Sequence, residues 1–118
     1  MIEDQNDMQE NINYDKIFAR QTDRNIKGIF HEKNREGNIN IAIELYEKNI
    51  AENFVGNHPY DRLSIIYRRR KDYKNEIRVL KKGIEVFTNL IISTQRLDVE
   101  PKLNRFKERL EKASKIIN

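Results

Sequence analysis

The chain has 118 residues, 37% of them hydrophobic and 36% charged, with four glycines, two prolines and no cysteine. That length builds one domain, that balance suits a thin, solvated helical protein, and the lack of thiols excludes disulfides, thiolate zinc sites and a cysteine nucleophile. Only His31 and His58 could offer imidazole to a metal, and no apolar run approaches the roughly 20 residues that span a bilayer, so a cytoplasmic protein with no metal and no cofactor is expected.

Residues 1 to 15 hold Glu3, Asp4, Asp7, Glu10 and Asp15 without a single Lys or Arg, so a chain of net charge +4 carries −5 at its start and +9 on the remainder. Residues 1–13 are expected as a flexible acidic tail, either solvated or folded back onto the basic body, ahead of one helical domain over 14–118. A helix from about Tyr14 to Arg24 should merge into the first helix of a repeated unit. The repeat shows at an offset of 34 residues: Ile26 falls on Tyr60, Ile29 on Leu63, Ile39 on Tyr73, Ile43 on Ile77, Tyr46 on Leu80 and Ile50 on Ile84. Every pair is apolar on apolar, and Gly37 meets Lys71 at the turn between the two helices of each unit. The units run over about 23–56 and 57–90.

From Tyr73, apolar residues recur through Ile77, Leu80, Ile84, Phe87 and Ile91 at alternating spacings of four and three, a helical stripe that Val79, Val86 and Leu90 widen to a second face. Gly83 inside this helix reads as a point of close helix packing. A last helix, 99–117, carries Val99, Leu103, Phe106, Leu110, Ala113 and Ile117, with Pro101 in its first turn and Asp98 or Glu100 near its positive end. Asn38, Asp61 and Asp72 stand near the other helix starts. Nothing reads as a strand, and the fold class expected is all-α.

A helix-turn-helix of this period resembles the tetratricopeptide repeat. The residues that carry the likeness are Ala42, Ile43 and Tyr46 in the first unit and Tyr60, Leu63, Ser64, Tyr67 and Tyr73 in the second, within about Arg24 to Thr88. Phe30, Lys33 and Glu76 depart from the family's pattern, and no proline closes the first unit. The resemblance implies two units whose flanks need covering, by the helix ahead of them and by the last helix as a cap. The alternative for the last helix is pairing with a second copy to form a homodimer. It implies further that the first helix of each unit lines a concave groove. That groove would receive Arg24, Lys27, His31, Asn34 and Arg35 from one unit, and Asp61, Arg62, Ile65, Arg68 and Arg69 from the other. Arg70 would face outward and Lys71 the turn.

Independently of any family, Arg20, Arg24, Lys27, His31 and Arg35 are spaced four, three, four and four apart, a continuous cationic line along one helix. Guanidinium groups so placed pair bidentately with carboxylates or phosphates; a merely solvated face is the competing reading. Lys102, Arg105, Lys107, Glu108, Arg109, Glu111 and Lys112 alternate in sign instead, as solvated surface with helical ion pairs does. Catalysis has little to build on. His58 precedes Pro59 with no Ser or Asp placed to make a triad, and the glycines are isolated rather than grouped in a phosphate loop. The function expected is non-enzymatic: an adaptor or small inhibitor that holds an acidic segment of a protein partner in a basic groove. The alternatives are sequence-independent nucleic-acid binding through the same surface, and a structural subunit of a homo-oligomer. Richness in Ile, Asn and Lys suggests an AT-rich bacterial, phage or other mobile-element genome.

Overall fold

A computed structural model describes residues 2–34, 38–94 and 99–117, the stretch 2–14 by its backbone alone. Arg35, Gly37 and Asp98, singled out above, lie outside the described residues. The described chain is all-α, with helices α1 (Ile2–Lys33), α2 (Ile39–Ala51), α3 (His58–Arg69), α4 (Tyr73–Thr94) and α5 (Glu100–Ile117), and no strand among the described residues. The start of α2 and the start of α4 are 34 residues apart, so the second helices of the two expected units stand at the expected period. Residues 2–13, expected as a tail ahead of the domain, belong to α1. No Gly or Pro occurs before Gly28, so nothing in the chain interrupts helix propagation there.

Each helix boundary has a local cause. Asn38 caps α2: its side-chain oxygen accepts the Asn40 N–H at 2.8 Å and its carbonyl the N–H of Ala42 at 3.2 Å. Asp72 caps α4 at the equivalent place, accepting from the Asn75 N–H at 3.3 Å and the Asn75 amide at 2.7 Å. The caps, like the helices, are 34 residues apart. Pro59 stands in the first turn of α3, where its missing N–H leaves nothing unpaired. At the other end, the Asp72 N–H bonds the Tyr67 carbonyl at 2.8 Å and the Lys71 N–H bonds that of Arg68 at 3.0 Å. Lys71 adopts a left-handed φ of 59° to make this possible. The run Arg68-Arg69-Arg70-Lys71 is therefore the C-terminal cap of α3, and its cations face the negative end of the helix dipole. α2 ends the same way, with Asn53 at φ 57° and the Phe54 N–H on the Asn49 carbonyl at 3.1 Å.

Contacts divide the chain into two compact units, Met1–Leu45 and Tyr46–Asn118, the boundary falling inside α2. In the first, Gln21 and Gly28 of α1 and Ala42 of α2 are buried, and the His31 ring accepts the Asn38 N–H at 3.4 Å. In the second, α4 packs on both α3 and α5. Phe87 of α4 and Phe106 of α5 stack with ring centroids 5.4 Å apart and planes 2° from parallel, and Tyr60 of α3 meets both edge-on at 5.9 and 6.3 Å. A Cβ on Gly83 would lie 3.4 Å from Phe106 and Tyr60, the close approach expected of that glycine. The Tyr60 hydroxyl donates to the Phe54 carbonyl at 2.8 Å, which satisfies both groups inside the core. Of the stripe expected for the last helix, Val99, Leu103, Phe106 and Ala113 are buried and Leu110 is half-buried, while Ile117 at its end is 50% exposed.

Candidate functional site

The residues expected to bind a partner divide between the units: Arg20, Arg24, Lys27 and His31 fall in the first and Arg62, Ile65, Arg68 and Arg69 in the second, while Arg35 lies outside the described residues. On α1 the cationic line runs along the border of the packed face. Arg20 and Lys27 are exposed, while Arg24 and His31 are half-buried. Lys27 forms an ion pair with Asp23 at 2.9 Å, so the line is not of uniform sign, and the His31 ring meets Phe30 edge-on at 5.3 Å. On α3, Arg62, Ile65 and Arg69 follow one another at spacings of three and four and share a face. Arg69 is exposed; Arg62 and Ile65 are half-buried.

Arg68 turns away from that line toward α4. Its guanidinium approaches Glu76 at 3.4 Å, and the Glu76 side chain is only 1% exposed. The other carboxylate oxygen, Oε1, is buried with no hydrogen-bond partner among the described residues. Arg68 thus serves a buried acid rather than an open surface. Asp61, the acid expected beside this basic line, is gripped by Arg109 of α5, whose second nitrogen bonds the Ser64 hydroxyl. Arg109 was expected in a solvated stretch of helical ion pairs. Lys115 and Glu111 do form such a pair at 3.3 Å, but Arg109 ties α5 to α3.

A second polar cluster joins the end of α2 to α3 and α4. The Tyr67 hydroxyl donates to Glu47 at 2.6 Å, Arg78 holds both oxygens of the same carboxylate, and the Arg78 Nε donates to Asn75 at 3.1 Å. Burial, reinforced by the bond to Glu47 and its negative charge, raises the Tyr67 hydroxyl well above the usual tyrosine range. The bond to Glu47 likewise raises Arg78, keeping it cationic. Glu47 and Arg78 are 31 residues apart and Asp61 and Arg109 are 48 apart, so no local spacing announces either pair. His58, the first residue of α3, is half-buried, with its Nε2 3.2 Å from the Tyr46 hydroxyl. Among the described residues no group of three or more His, Asp or Glu side chains could hold a metal ion, and no helix is long and apolar enough to cross a membrane.

The 34-residue offset holds along α2 and α4, where Ala42 and Glu76, Tyr46 and Leu80, and Asn49 and Gly83 are buried in pairs. It fails along α1 and α3. Ile26 is 62% exposed where Tyr60 is fully buried, and Phe30 is 57% exposed where Ser64 is buried. An offset of 35 restores agreement, because buried Gly28 then matches buried Leu63, while exposed Ile26, Lys27 and Phe30 match Asp61, Arg62 and Ile65. Five residues separate α1 from α2 where three separate α3 from α4, so the second helices keep the period of 34 while the first helices do not. The outward face of α1 therefore presents Ile26, Lys27 and Phe30 rather than Arg24 and His31. Compared with protein-family models, curated proteins and solved structures, the chain gives no match.

Proposed function

We propose that the protein is a non-enzymatic, tetratricopeptide-like interaction module, an adaptor or small inhibitor acting in the cytoplasm, that binds an acidic segment of another protein. The observation that carries this reading is the line Arg62–Ile65–Arg69 on α3: two guanidinium groups flank an apolar side chain along one face, with Arg69 exposed and Arg62 and Ile65 half-buried. Guanidinium forks recognise carboxylates bidentately, and an apolar contact between them supplies the anchor that a purely ionic surface lacks. Arg20 and Lys27 on α1 add exposed cations, and a net charge of +4 steers acidic partners toward the molecule. Nucleic acid would use the same cations as a phosphate track. Tyr60 and Tyr67, the rings best suited to stack on bases, are buried in the core, which weighs against it.

The test is retention from a native lysate on the immobilised protein, with and without nuclease. It is repeated with a variant carrying Arg62→Glu and Arg69→Glu, which spares the core-serving Arg68. A defined protein retained after nuclease and lost from the variant supports the reading. Retention only of nuclease-sensitive material overturns it in favour of a phosphate track.

A further inference from the structure

We propose that α1 is a self-association helix through which two copies of the chain pair antiparallel. Ala19, Ile26 and Phe30 lie on one line of α1, spaced seven and four apart, on the side opposite the buried Gln21 and Gly28. Ile26 and Phe30 are 62% and 57% exposed, large apolar surface that the first unit does not use. The same spacing runs back through the sequence at positions 12 and 8, which are Ile and Met, so the apolar line extends into the first half of this helix of 32 residues. At 1.5 Å per residue that is roughly 48 Å of helix.

Charge decides what covers the seam. Residues 2–15 of α1 hold five acids, Glu3 to Asp15, and no cation. Residues 16–33 hold Lys16, Arg20, Arg24, Lys27 and Lys33 against only Asp23 and Glu32. A second copy laid antiparallel sets each acidic half over a basic half, and the two-fold axis repeats the match at both ends. A parallel pair would set acid on acid and base on base. An antiparallel register centred on Ala19 also places position 12 opposite 26 and position 8 opposite 30, so apolar meets apolar along the seam. Asp15 and Thr22 interrupt the stripe near its middle, so association is expected at micromolar rather than nanomolar concentration. The inference rests on the apolar seam and the charge halves of α1 and not on the α3 surface of the proposed function.

Sedimentation equilibrium over a micromolar concentration series should show the mass rise from one chain of 14.2 kDa to two, less readily at high salt. The double variant Ile26→Asp, Phe30→Asp should keep its far-ultraviolet helicity and remain monomeric. Because the chain has no cysteine, orientation can be read by oxidative cross-linking. Ala19→Cys should cross-link to itself, and Ile12→Cys should cross-link to Ile26→Cys in a mixture, while Ile26→Cys alone should not. A wild-type chain that stays monomeric throughout the series overturns the proposal. So does a dimer that survives the double variant, or self-cross-linking of Ile26→Cys, which would make the pair parallel.

Discussion

Glu76 puts a carboxylate into the first turn of α4 at the place where the repeat's other copy has fully buried Ala42. Its side chain is almost wholly removed from water, one oxygen has no partner among the described residues, and its ion pair with Arg68 is long at 3.4 Å. Desolvation of such an acid outweighs a single distant cation. Glu76→Gln, of equal shape and no charge, should therefore raise stability by about 1 kcal/mol. Arg68→Ala, which strands the acid, should lower it by about 2 kcal/mol. Urea midpoints at unchanged slope would check both, and a loss on Glu76→Gln would mean the pair is net stabilising. The two buried tyrosines make a pH prediction. Burial raises the hydroxyls of Tyr60 and Tyr67 above the ordinary value of 10.0, helped by the charge of Glu85 at Tyr60 and by the bond to Glu47 at Tyr67. A group whose folded value is raised stabilises fully below its unfolded value, and that contribution is lost as pH climbs past it. Stability should hold to about pH 9 and fall steadily above about pH 10, with Tyr67→Phe flattening part of the decline. Urea midpoints across that window would show it, and a flat profile would sink the assignment.

Between elements, what was legible in the chain and what was not have the same origin. The period of 34 was read correctly from α2 and α4 because their apolar stripes, their caps at Asn38 and Asp72 and their buried small or apolar pairs repeat together. α1 resisted because its burial matches that of α3 at an offset of 35 rather than 34, and one residue is enough to rotate Ile26 from the expected core to the surface, with Phe30 beside it. The cationic line was visible as a spacing, but whether it lies on an open face or at the edge of a packed one depends on that rotation. The four-cation run was legible as the end of a helix; its conformation was not, since a left-handed Lys71 is unusual for a residue with a Cβ. Lys71→Gly removes that strain and should raise stability by about 1 kcal/mol, measurable as a higher urea midpoint. Lys71→Val should lower it, since a β-branched residue resists positive φ.

For the molecule as a whole, the question is what completes a repeat too short to stand alone. Two helix-turn-helix units leave apolar faces open, and in the second unit α5 supplies the cover through Phe106 stacked on Phe87 and Arg109 bonded to Asp61 and Ser64. Its apolar spacing was legible in advance; its anchoring by Arg109 was not, because the partners are 45 and 48 residues away. If α5 is integral to the core, Phe106→Ala should cost about 3–5 kcal/mol, a large share of the 5–15 kcal/mol that holds a domain together. Ile92→Ala, in the same unit but at a side chain 73% exposed, should change stability by less than about 0.5 kcal/mol. Urea unfolding of both variants against the parent separates the alternatives. A broad, early transition for Phe106→Ala with Ile92→Ala unchanged identifies α5 as the element that closes the unit. Equal small effects would make α5 an appendage, free to leave α4 and expose Phe87 to another chain.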